Sequence, residues 1–125
     1  MKKLTISIDF DGVLNMAEYP EIGEIDSEKI RIIRKWTDRG HQIIFNSCRP
    51  AGELLMCLCG IFTYMPHGYL YYNENTPENI KKYGGDCRKI YADVYIDDHN
   101  ILQIGKPIDF ELYDKIIRGL EHGEV

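Results

Sequence analysis

Four short strand-like runs, at residues 4–8, 41–46, 69–72 and 90–96, each close on polar or acidic residues, and segments of helical period separate them. This alternation predicts an α/β fold, a single-domain, doubly wound, mainly parallel sheet flanked by helices and joined by right-handed crossovers. The 125 residues are the size of one compact domain, 1–125, and 44% hydrophobic content supplies its core.

The helical segments carry their own start and stop signals. Asp26 or Ser27 caps a helix bearing Ile30, Ile33 and Trp36 that stops at Gly40, with Trp36 as core packing. A short helix through Glu53 to Cys59 closes at Gly60. The order Thr76-Pro77-Glu78 predicts an N-cap, an N1 proline and an early acid, so a helix runs to Tyr83 before Gly84-Gly85. A final amphipathic helix spans 110–120 with Leu112, Ile116 and Leu120 on one side. Residues 15–25, with Pro20, Gly23 and several acids, read as a loop or flap.

Chemistry concentrates where the strands end. In Ile8-Asp9-Phe10-Asp11-Gly12 an apolar run delivers two carboxylates spaced one residue apart, which share a face if the strand stays extended. Gly12 makes an immediate turn easy. The second run ends in Ser47-Cys48-Arg49-Pro50 and the last in Asp97-Asp98. Ligands of open α/β sheets bind beyond the carboxyl ends of the strands, so these groups converge on one mouth. Four acids there call for a hard cation, and an all-oxygen set favours Mg²⁺. Ser47 offers a hydrogen bond to a phosphoryl oxygen, and Lys89, with Arg88 as the alternative, supplies positive charge. Arg49 either forms a surface ion pair or reaches substrate phosphate. Asn73, Glu74 and Asn75 lie at a predicted strand end, where turn chemistry is the favoured reason for them and contact with substrate the alternative, and Asp93, inside an apolar run, has no assigned role.

The remaining features exclude other classes. A net charge of −5 argues against a general nucleic-acid footprint. The apolar run after Met1-Lys2-Lys3 meets Asp9 before a secretory core is complete, and no stretch reaches membrane-spanning length. Cys48, Cys57, Cys59 and Cys87 lack paired zinc or C-x-x-C spacing and read as reduced thiols, which implies a cytoplasmic protein without structural zinc. His41, His67, His99 and His122 make no metal-binding pair.

The chain resembles the haloacid dehalogenase-like (HAD) phosphatases. The apolar strand followed by Asp9-Phe10-Asp11-Gly12-Val13-Leu14 is similar to the family's first motif, Ile43 to Ser47 to the second, Lys89 to the basic third and Ile96-Asp97-Asp98 to the acidic fourth. The resemblance implies a phosphoric monoester hydrolase in which Asp9 is the nucleophile and forms an aspartyl-phosphate, while Asp11 acts as general acid and then base. It implies Mg²⁺ on Asp9, on Asp11 through its backbone carbonyl, and on the Asp97-Asp98 pair, with Asp98 favoured as the direct ligand. Ser47, Cys48, Arg49 and Lys89 are the expected substrate-binding positions.

The chain has no room for the cap domain that many such phosphatases insert, so it looks like a capless member. Cover for the site then comes from residues 15–25, residues 65–75, a second subunit in a homo-oligomer, or a bulky substrate. A phosphorylated small molecule is the expected substrate, with a phosphorylated macromolecule as the other possibility. Two rival readings are a catalytically silent HAD-like module that binds a phospho-ligand, and a receiver-type signalling domain. The second rival needs an Asp between the acid pair and the Ser/Thr, and none occurs between Asp38 and Asp86.

Overall fold

β-Strands β1 (Thr5–Ile8), β2 (Gln42–Phe45), β3 (Leu70–Tyr72) and β4 (Val94–Ile96) form one all-parallel sheet in the order β3-β2-β1-β4. The structure is a computed structural model that describes residues 1–62 and 69–124. Helices α1 (Ser27–Asp38), α2 (Ala51–Leu58), α3 (Pro77–Tyr83) and α4 (Phe110–Glu121) flank the sheet. In register, Ile6 pairs with Ile43 on one side and with Val94 on the other. Strand order therefore reverses at β1. Every residue of β1 is buried, as a central parallel strand covered on both faces requires.

Local chemistry sets the helix ends. The Asp26 carboxylate accepts the Glu28 N–H, and Thr76 Oγ1 accepts the Asn79 N–H ahead of Pro77. Gly84 ends α3 in the left-handed conformation, φ 79°, that a glycine enters without a Cβ clash. Trp36 is fully buried; its ring stacks on Phe110 with centroids 5.7 Å apart, and its Nε1–H donates to Asp114 Oδ1 at 2.9 Å.

That stack corrects the expected face of α4. The inward stripe is Phe110, Tyr113, Ile117 and Glu121, whereas Leu112 is 48% exposed and Ile116 and Leu120 are half-buried. Residues two positions apart on an α-helix point about 200° from one another, so docking Phe110 on Trp36 turns Leu112 to solvent. The buried Glu121 accepts hydrogen bonds from Arg39 Nε at 2.7 Å and from His41 Nε2 at 2.6 Å. His41 Nδ1 accepts the Leu4 N–H, so the neutral ring carries its proton on Nε2.

The fourth strand is also shorter than the apolar run 90–96. The Tyr95 hydroxyl donates to the Ile90 carbonyl and accepts the Ala92 N–H, which folds residues 90–92 back on the strand. Asp93 gains a role: its Oδ2 accepts the Thr5 N–H and its Oδ1 the Tyr91 hydroxyl, tying the start of β4 to β1. Among the described residues no helix is long and apolar enough to cross a membrane.

Candidate active site

The strand order places the crevice between the carboxyl ends of β1 and β4, the point where an open α/β sheet binds ligands. Asp9 follows β1 directly, held by its N–H on the Ile96 carbonyl at 2.9 Å, and Asp97 and Asp98 follow β4. One carboxylate oxygen from each of the three lies within 4.8 Å of the other two. The three belong to a cleft of about 600 Å³ that Asp11, Ser47, Cys48 and Tyr19 also line.

Burial, a hydrogen bond from Asp98 and the charge of Asp97 push Asp9 up to about 8. Three carboxylates packed this closely favour either a shared proton or a cation. Gly12 makes the packing sterically possible. It sits at φ 82°, and a Cβ there would stand 2.2 Å from Asp98 Oδ2.

The expectation that Asp9 and Asp11 present their carboxylates together is not met. The chain leaves the strand after Ile8, and the Phe10 carbonyl accepts the N–H groups of Val13, Leu14 and Asn15 in a tight turn. Both residues line the cleft, but the Asp11 carboxylate stands outside the three-carboxylate group and turns to Arg49. Arg49 Nε donates to Asp11 Oδ2 at 2.8 Å and Nη2 to Oδ1 at 2.9 Å, a two-pronged charge-assisted pair. The Arg49 hydrogen bonds, followed by that of Asn15, hold Asp11 below the usual carboxylate range.

Arg49 is thus neither a surface ion pair nor a free phosphate ligand. It is 2% exposed, its Nη1 donates to Glu53 Oε1, and its Nη2 also reaches the Pro20 carbonyl. Its guanidinium stands 4.8 Å from the Tyr19 ring centroid. Lys89 does not line the cleft either. Asn75 Nδ2 donates to the Lys89 carbonyl and Asn75 Oδ1 accepts the Tyr91 N–H, which fixes this segment beside a separate cavity of about 410 Å³. Ser47 and the exposed Cys48 do line the cleft, and Ser47 Oγ accepts the Arg49 N–H at 3.0 Å.

Two asparagines, Asn15 at the start of the loop 15–25 and Asn73 after β3, build the rim. Asn15, fully buried, donates to Asp11 Oδ1 and to the Glu21 carbonyl and accepts the Gly23 N–H, which shapes the loop 15–25. Asn73, left-handed at φ 52°, accepts the Ser47 N–H and donates to the Arg49 carbonyl. The run Asn73-Glu74-Asn75 at a strand end was a usable signal; Asn15 carried none. Of the expected cover at 65–75, residues 65–68 lie outside the described residues.

A solved structure shares this architecture. The chain is similar to a conserved protein from Bacteroides thetaiotaomicron, with 27% identity and a TM-score of 0.72 over 95% of this chain and 93% of that one. No family model matches the chain, and no curated protein matches it. The likeness to the Bacteroides protein extends over nearly the full length of both chains, so the four-stranded parallel sheet and its helices form one α/β domain.

Proposed function

We propose that this chain is a HAD-like phosphoric monoester hydrolase that uses Asp9 as nucleophile and Mg²⁺ as cofactor. The observation that carries the reading is the group of Asp9, Asp97 and Asp98 carboxylates at the point where strand order reverses. The donor set fits the ion: all three offer oxygen, they are within reach of one centre, and Gly12 lacks the side chain that would keep Asp98 away. Asp9, Asp97 and Asp98 would hold Mg²⁺, which supplies charge to keep Asp9 ionised and to offset the phosphate oxygens.

In this reading an Asp9 carboxylate oxygen attacks phosphorus, the bond from phosphorus to the alcohol oxygen breaks, and an aspartyl-phosphate forms. The departing oxygen takes its proton from Asp11, protonated and released by Arg49, and leaves as the alcohol. Water then attacks the acyl-phosphate, giving inorganic phosphate and free Asp9. The ionised Asp11 that Arg49 holds is the form that accepts a proton from that water. Its earlier work as an acid requires a conformation in which Arg49 has released it. Ser47 follows β2 and lines the cleft, and because its Oγ only accepts the Arg49 N–H, its own O–H remains available to donate to a phosphoryl oxygen.

The Arg49–Asp11 pair favours a second reading, a module that binds magnesium and a phosphorylated ligand without turnover. One assay separates the two. Purified protein is offered p-nitrophenyl phosphate and a panel of sugar, nucleotide and nucleic-acid phosphates, with Mg²⁺ or with EDTA, beside Asp9→Asn. Magnesium-dependent phosphate release that disappears in Asp9→Asn supports the hydrolase. Saturable ligand binding with no release from any ester supports the silent module.

A further inference from the structure

Charge around the cleft says what the substrate carries besides its phosphate. Asp9, Asp11, Glu18, Asp97 and Asp98 all line it, and among the described residues the one lining side chain able to become positive is His99. The two cations expected to serve the site are committed elsewhere. Arg49 is buried and spends its N–H groups on Asp11, Glu53 and the Pro20 carbonyl. Lys89 lines the separate cavity with Asn75 and Tyr91. A single divalent ion leaves the three-aspartate group one negative charge in excess, so a phosphate is held there by direct contact with the ion and not by net charge, and among the described lining residues only His99 could answer a second anion.

We infer that the substrate is a phosphate monoester whose leaving alcohol is uncharged or cationic, and that Glu18 and Tyr19 at the rim select it. The inference rests on the hydrolase reading and narrows its substrate class. Glu18 is exposed, and Tyr19 is 65% exposed with its ring beside the mouth, so the first surface a leaving group meets is a carboxylate and an aromatic ring. Such a rim attracts an ammonium group through Glu18 and accepts an apolar one on the Tyr19 face that Arg49 leaves open. It repels a second phosphate, a carboxylate or a nucleic-acid backbone. Within about a Debye length of the metal this repulsion is only partly screened, so it acts on kcat/KM and weakens with salt.

The test compares esters of similar size and opposite charge: O-phosphoethanolamine against 2-phosphoglycolate, with p-nitrophenyl phosphate as the uncharged member and a 5′-phosphorylated oligodeoxynucleotide as the polyanion. With Mg²⁺ at low salt, kcat/KM for the amine ester exceeds that for the carboxylate ester by roughly tenfold or more, and high salt narrows the gap. Glu18→Lys, an exposed substitution, narrows or reverses the ratio while the far-ultraviolet circular dichroism stays unchanged. Equal or faster turnover of 2-phosphoglycolate or of the oligonucleotide overturns the inference and leaves the hydrolase reading standing. If the magnesium-loaded protein hydrolyses none of the four esters, the hydrolase reading falls and this inference falls with it.

Discussion

Arg49 grips both oxygens of Asp11, Nε to Oδ2 at 2.8 Å and Nη2 to Oδ1 at 2.9 Å, and through the same guanidinium holds the Pro20 carbonyl of the loop that borders the cleft. The orientation of a candidate catalytic carboxylate and the position of that loop are thereby coupled. A planar fork is needed for this, because a lysine ammonium is a point charge that cannot span two oxygens.

Arg49→Ala leaves Asp11 and Glu53 without their cation. It is expected to destabilise the protein by about 2 kcal/mol, less than a fully buried broken pair costs, because both carboxylates keep contact with water. Arg49→Lys recovers part of the stability and little of the loop order. Urea unfolding midpoints report the first effect, and amide exchange at Ala17 and Gly23, whose N–H groups bond to Asn15 Oδ1, reports the second.

Gly12→Ala drives a methyl group into Asp98 at a backbone angle that disfavours any side chain. Magnesium affinity and turnover both fall. A stability loss of roughly 1–3 kcal/mol accompanies them. Isothermal titration with Mg²⁺ checks the affinity; a variant that binds the ion as well as the parent contradicts the role given to Gly12.

The pH dependence has opposite signs at the two neighbouring acids. Asp9 is raised in the folded protein to about 8 from an ordinary 3.8, by burial first and then by Asp98 and Asp97. Its contribution to stability is therefore fully present below its unfolded value and is lost as pH climbs toward 8. Asp11 is lowered by Arg49, so its contribution is present above its unfolded value and is lost as pH falls below it. In EDTA the melting temperature should decline from about pH 5 to pH 8 more steeply than in Asp9→Asn. Mg²⁺ should remove most of that decline, since a cation that binds only the folded, ionised site stabilises it. Melting curves with and without the ion decide the point.

Asn73→Ala removes the acceptor for the Ser47 N–H and the donor to the Arg49 carbonyl, and puts an alanine at φ 52°. A loss of about 2–3 kcal/mol combines two hydrogen bonds with left-handed strain. Asn73→Gly relieves the strain alone and recovers about 1 kcal/mol of it. If the two variants are equally stable, conformation contributes nothing at residue 73.

Much of the fold was legible because the relevant signals are local. Thr76-Pro77 opens α3 and Gly84 ends it as capping chemistry dictates, and Asp26 caps α1. Period misled at 90–96 and at Leu112, for one reason. Apolar content does not say which residues find a partner: Tyr95 folds residues 90–92 off the sheet through its hydroxyl, and the Trp36–Phe110 stack sets the rotation of α4.

For the candidate site, the division falls between backbone and side chain. The sequence by itself determined the alternating architecture and the placement of Asp9, Ser47, Asp97 and Asp98 at strand ends, because strand period and chain order are properties of the backbone. Only the tertiary structure decided that Asp9 joins Asp97 and Asp98, that Asp11 turns to Arg49, and that Lys89 lines another cavity. Those choices are made by side chains distant in sequence, through buried hydrogen bonds whose partners meet only after the sheet has formed.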